Sequence, residues 1–354
     1  MGLVDRSAGA HRQVLQDLER ATTETRGVED LHARLLGSLT AASEVTGACW
    51  HITDPVSGVP TGGGRVGSPP GDFARSLEFE FLRPDFSRLA EVMRRRRPLA
   101  VLSEETGGVP ERSARFREMI APEGSADELR IAWVDRYGIW GALTLFSASR
   151  FARTDVALLT RAAPAFTRAL RLARAREKVA TVDWQRPGIV LVDERGRVQG
   201  GDAQAVDHLA ELGRASGRDR CEVLTVLAAL ARRRDPSRPA SADVHDSAGR
   251  WFTLDALAID GAAPASVAIV VQPARPESVL NTILRAHGMS QRERQVAQLA
   301  VSGRSNREIA ALLSLSVWTV QDNLRSAYAK TGVAGRGALA AYVVGAASSS
   351  RRPP

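Results

Sequence analysis

Gln321, Asp322 and Arg325 stand within one helical turn of one another. An amide, a carboxylate and a guanidinium at that spacing suit one kind of chemistry, hydrogen bonding to the edges of base pairs. Arginine reaches O6 and N7 of guanine, glutamine N6 and N7 of adenine, and a carboxylate accepts from N4 of cytosine. The surrounding stretch predicts a helix from Val317 to about Lys330. Its inward stripe is Val320, Leu324, Ala327 and Tyr328, which leaves Trp318 outward with the three polar residues. A helix with a purely packing role would carry long charged pairs on that outward face.

The elements that must hold this face are signalled just upstream. Ser290 precedes Glu293 by three residues, and Ser305 precedes Glu308 by three. Each pair predicts a capping box, in which the hydroxyl takes an orphan N–H and the carboxylate reaches back. Val296, Leu299 and Ala300 follow the first cap on one face, and Ile309, Leu312 and Leu313 follow the second. Gly303 ends the first helix, Ser316 caps the third, Gly332 closes it, and a short fourth helix is expected over about 337–344. Two short helices, a tight turn and a polar-faced third helix describe a helix-turn-helix. Arg304, Arg307, Lys330 and Arg336 flank it as candidates for phosphate contact. Residues 286–344 carry seven basic and three acidic side chains, a net charge of +4 and the right sign for DNA.

The segment resembles the DNA-binding domain of LuxR-type transcriptional regulators. The matching residues are Arg292-Glu293-Arg294, Gly303, the run from Ser305 to Ala310, Ser316, Thr319-Val320, the run from Lys330 to Val333, and Arg336. The resemblance covers about a sixth of the chain. It departs from the family at Gln321, where lysine is usual, and at Asn323, where histidine is frequent; both bear on the target sequence rather than the fold. It implies that Gln321, Asp322 and Arg325 read bases. It also implies that Ser305, Asn306, Arg307, Ser316, Thr319, Lys330 and Arg336 face the DNA backbone.

The whole chain of 354 residues is ordinary in apolar content, with a net charge of +8, which favours an anionic partner. Cys49 and Cys221 are far apart, which fits a reducing compartment and argues against a disulfide scaffold. No apolar run reaches membrane-spanning length and no signal peptide opens the chain, so a cytoplasmic protein is expected.

Residues 28–180 read as an α+β module. Its parts are a helix striped with Val28, Leu31, Leu35, Leu36 and Leu39, a strand over 48–52, a buried strand over 99–102, paired strands over 128–134 and 138–146, and a long helix from Thr154 containing Pro164. The run from Thr61 to Ser68 is glycine-rich, but it lacks the P-loop lysine and any strand-to-helix context; it reads as a flexible loop. Arg94 to Arg97 reads as the solvated end of a helix. The module resembles GAF-like sensor domains, most closely at 127–130 and 140–143. Residues 185–273 read as strand, strand, helix, helix, strand, strand, with a Pro/Ser loop over 235–242, and resemble a small PAS-like domain. Residues 1–27 read as a polar N-terminal segment, 274–285 as a linker marked by the two prolines Pro273 and Pro276 at its start, 286–346 as the four-helix domain, and 347–354 as a disordered tail.

The six histidines have no metal-ligand spacing, and GxSxG, Walker A and HExxH motifs are absent. No catalytic residue, metal site or cofactor is expected, and no effector-binding residue is assigned. The reading is therefore a multi-domain protein, α+β, α+β and all-α, that is not an enzyme. It binds specific double-stranded DNA as a homodimer under the control of its sensor modules, with a small-molecule effector and RNA polymerase as further candidate partners. The competing reading is a signalling adaptor whose sensor folds serve protein contacts only.

Overall fold

The computed structural model describes residues 27–42, 44–67, 73–177, 186–193, 196–215, 221–233, 240–246, 248–259 and 267–345. The expected N-terminal segment (all but residue 27) and the tail from 346 lie outside the described residues.

The first unit is built on a five-stranded antiparallel sheet. Helix α1 (Val28–Ala42) precedes β1 (Val45–Thr53) and β2 (Pro60–Gly67). Short helical turns fill the chain between β2 and β3 (Leu99–Val101), and again between β3 and the hairpin β4 (Asp127–Asp135) and β5 (Gly138–Ser147). Helix α2 (Arg153–Ala175) closes the unit and runs through Pro164 without a break. Strand order is β2-β1-β5-β4-β3. Both faces of β4 and β5 are buried, as layers on each side require. Trp133, Trp140, Phe166 and Leu170 pack one face with α1 and α2, and Leu102, Phe116, Ile120 and Phe146 form a core on the turns.

The glycine-rich run is a strand and not a loop. Gly62 to Gly67 pair in register with β1, and Gly64 lies opposite Trp50. A Cβ on Gly64 would stand 2.2 Å from the indole nitrogen of Trp50, so the strand exists because its residue has no side chain there. The arginine run does lie past the end of a helix, Leu89–Val92; Arg94, Arg96 and Arg97 are exposed, and Arg95 pairs with Glu105.

The second unit repeats the strand arrangement. It contains β6 (Gly188–Val192), β7 (Val198–Gly201), α3 (Ala203–Ala215), α4 (Cys221–Arg233), β8 (Ser241–His245), β9 (Trp251–Ala258) and β10 (Val267–Pro273). Its order, β7-β6-β10-β9-β8, matches the first sheet position for position. Strand β8 begins inside the expected Pro/Ser loop, taking Ser241 and Ala242 into the sheet, and is a strand beyond the four expected. Helix α4 is nearly all apolar because it is covered twice. It packs on its own sheet and also meets Val59 and Leu77 of the first unit.

Residues 276–286, expected within a linker, form helix α5 (Pro276–Ala286). Pro276 at its first turn is compatible with a helix start. Val279, Leu280, Ile283 and Leu284 are all buried. Four helices follow: α6 (Gln291–Val301), α7 (Asn306–Leu313), α8 (Val317–Thr331) and α9 (Arg336–Gly345).

Candidate nucleic-acid interface

The caps form as the spacing predicts. Ser290 Oγ accepts from the Glu293 N–H at 3.3 Å, and the Ser290 N–H donates to Glu293 at 2.6 Å. The Ser305 and Glu308 pair repeats this at 3.3 and 2.7 Å. Ser316 Oγ accepts from the Thr319 N–H at 3.0 Å and lies 2.9 Å from the Thr319 hydroxyl. The turn before α8 is tight because Ser314 adopts a left-handed conformation, φ 53°.

Packing fixes which face α8 shows. Val320 and Leu324 meet Val296, Ala300, Ile309 and Ala310 in one small core, and Ala327 joins Met289, Ala297 and Leu339 in another. Leu312 was expected on the inner face of α7 and is instead 60% exposed. Ala310 takes the inner place, since a helix of eight residues has room for one buried turn.

Gln321, Asp322 and Arg325 are all exposed and share a face. Arg325 Nη1 donates to Asp322 at 2.9 Å. Both side chains are largely in solvent, so the pair is worth at most about 1 kcal/mol and separates cheaply. Around them, Arg304, Ser305, Arg307, Ser316 and Thr319 are exposed. Asn323 is turned onto its own helix, its amide donating to the Thr319 carbonyl.

The other basic residues have tasks inside the module. Lys330 Nζ donates to both oxygens of Glu293, at 2.6 and 2.8 Å. Burial pushes the Glu293 carboxyl up, but hydrogen bonds from Lys330, Ser326 and the Ser290 N–H outweigh it and hold the group at about 2. Arg294 is buried, donating to Asn281 at 3.1 Å and to the Met289 carbonyl at 2.8 Å. Arg336 reaches the Arg304 carbonyl and Asn306 Oδ1, bracing the start of α7. Sequence counting gave all seven cations equal weight. The structure leaves Arg292, Arg304, Arg307, Arg325 and Lys330 exposed, with Lys330 tied to Glu293, while Arg294 is buried and Arg336 half-buried on internal contacts.

Helix α5 joins the module to the units before it. Leu280 and Leu284 enter the module's core, Val279 and Ile283 pack with Trp251, and Ala286 reaches the first unit's core. Arg171 on α2 donates to the Ala286 carbonyl at 2.6 Å while its Nε lies 3.1 Å from Asp135. Arg285 donates to the Tyr137 carbonyl at 2.7 Å. His287 is held between the Lys330 carbonyl and the Tyr342 hydroxyl, and burial, with Arg171 nearby, depresses its basicity.

A second feature lies on the first sheet, on the face away from α1 and α2. A cleft open to solvent is lined by apolar Leu77, Phe81, Leu89 and Met93, with His51, Glu80, Arg130 and Thr144 at the sheet; Val226 of α4 contributes a wall. Arg130 is buried. Burial opposes its charge, but Glu128 and Glu80 more than offset this and hold it protonated. Sequence reasoning named Asp127 to Arg130 only as part of a resemblance and missed this role; the signal was the three charged residues inside a strand. Asp127 is spent on structure, accepting from the Ser103 N–H and hydroxyl at 3.0 and 2.6 Å. Among the described residues no group of three His, Cys, Asp or Glu is placed to hold a metal, and no helix is long and apolar enough to cross a membrane.

Residues 287–343 match the family of bacterial regulatory proteins, luxR family. The match coincides with the start of the module at His287 and runs into α9. No curated protein matches the chain. Among solved structures, Escherichia coli SdiA is 14% identical over 96% of each chain, with a TM-score of 0.29. The phage VqmA–DPO complex is 18% identical over 48% of this chain and 85% of that one, at 0.22. The Vibrio cholerae VqmA dimer without its target DNA is 15% identical over 45% and 81%, at 0.17.

Proposed function

We propose that this chain is a sequence-specific DNA-binding transcriptional regulator, acting in the cytoplasm as a homodimer. One observation carries the reading. Within the luxR-family segment, α8 buries Val320, Leu324 and Ala327 and turns Gln321, Asp322 and Arg325 into solvent. A helix so disposed fits a major groove. Gln321 and Arg325 read bases, and Asp322 orients Arg325 or accepts from cytosine. Ser305, Asn306, Arg307, Ser316, Thr319 and Arg336 approach the phosphates, where hydroxyls, amides and guanidinium groups position a protein without reading sequence. Lys330 contributes there through its remaining ammonium donor.

The two sheet units act as sensor modules, GAF-like and PAS-like in kind; the shared strand order and the helices on one face support that assignment. The cleft at Arg130 is the effector site of this reading, suited to a small molecule with an apolar body and a polar end. RNA polymerase is a further partner of a regulator bound at a promoter.

The test is selection of duplexes from a random pool by the purified full-length protein. Enrichment of a two-fold symmetric site, with affinity falling as salt rises, is the expected result. Enrichment of nothing above the input pool would falsify the reading.

A further inference from the structure

Trp318 is the second residue of α8 and is 75% exposed, more than any other large apolar side chain among the described residues. Val317 beside it is 37% exposed. Residues 318, 321, 322 and 325 fall at helical spacing on one face, so the indole continues the polar face toward the helix N-terminus. An indole left in water forgoes the burial that usually justifies so large an apolar surface. It also stands where the residues of a groove-inserted helix meet base edges, since the N-terminal residues of such a helix make those contacts. The major groove offers one apolar group, the 5-methyl of thymine.

We propose that Trp318 is a specificity-determining residue that lays its indole on thymine methyl groups, beside the bases read by Gln321 and Arg325. The inference rests on the DNA-binding reading above and names a chemical feature of the site that reading requires. Arg325 shares the indole's face, and Arg304 and Arg307 of the same module are also exposed; cations suit phosphate-lined DNA better than an apolar protein surface. Asp322 is already paired with Arg325, so the face presents little free negative charge to the DNA.

The experiment uses the full-length protein and the duplex recovered by selection. Each thymine is replaced in turn by deoxyuridine, which removes the methyl and leaves base pairing intact, and affinity is read by fluorescence anisotropy. One or two neighbouring positions in each half-site should lose about fourfold in affinity, the worth of one buried methyl group. Trp318→Ala should bind the parent duplex about tenfold more weakly, losing more apolar contact than one methyl provides, and should no longer distinguish thymine from uracil at those positions. Trp318→Phe should keep part of the difference, and Arg325→Ala should keep all of it while weakening binding. Melting curves check that the Trp318 variants fold, which its exposure favours.

Two results overturn the proposal and leave DNA binding intact. One is a selected site with no thymine whose methyl matters. The other is a Trp318→Ala protein with parental affinity and parental methyl discrimination beside a defective Arg325→Ala protein; the indole would then serve a protein partner. If the parent protein enriches no sequence, the DNA-binding reading itself fails and takes this proposal with it.

Discussion

Glu293 does three things at once. Its carboxylate completes the cap of α6, accepts from Ser326 and grips Lys330 on α8. Those contacts exist with the ionised form, so the group sits at about 2 instead of the usual 4.5. A carboxyl lowered on folding contributes stability above its unfolded value and loses it as pH falls toward its folded value. The module should therefore weaken between about pH 4.5 and 2. Hydrogen exchange of the α6 and α8 amides across that range measures this, and Glu293→Gln should flatten the acid loss while costing about 1.5–3 kcal/mol at neutral pH, the usual worth of hydrogen bonds to a charged group. A variant with parental stability at neutral pH would show the clamp to be idle. Arg325→Ala should instead leave stability alone and lose about 1–3 kcal/mol of discrimination at one base pair; an unchanged base preference at every position would remove Arg325 from the reading face. The contrast marks what single residues disclose. Arg325 was legible because outward position follows from helical spacing. Lys330 and Arg294 look the same in sequence, and only a partner brought in from another helix decides that Arg294 is buried and that Lys330 is tied to Glu293.

Elements were legible where their signals are local. The caps of α6, α7 and α8 lie within three residues of the helices they start, and all three form. Strand β2 fails that test, since four of its eight residues are glycine and the sequence carries no strand propensity. Its cause is Trp50 on the neighbouring strand. Gly64→Ala should cost about 1–3 kcal/mol through overpacking, visible as a lower denaturant midpoint. An unshifted midpoint would mean the indole can move aside freely. Helix α5 was misread for a different reason: Pro276 was taken as a mark of the linker, although Val279, Leu280, Ile283 and Leu284 already carried a helical stripe. Leu284 is fully buried between α5 and the module, so Leu284→Ala should cost about 2–5 kcal/mol. That loss should appear in the unfolding of the helical module first, and its absence would place α5 outside the module's core.

At the scale of the whole molecule, three bodies meet at α5, and Arg171, Arg285 and Tyr342 tie the first to the last. Arg171 joins Asp135, at the end of β4, to the backbone of Ala286, where the helical module begins. The junction is close, because Gly288 has φ 71° and a Cβ there would stand 2.8 Å from the guanidinium. Strand β4 also carries Arg130 at the cleft. A change in how the cleft holds Arg130 and Glu80 thus has a short route to the module, through one strand and one guanidinium. Contiguity is not coupling, and coupling is a free energy that can be measured. If docking through Arg171 restrains the module, Arg171→Ala in the full chain should raise affinity for the selected duplex, by about 5- to 150-fold for a coupling of 1–3 kcal/mol. The same substitution should increase protease cleavage near residues 286–289. Tighter binding with new cleavage would make the junction the transmitter between sensor and reader. New cleavage with unchanged affinity would make it a structural seam.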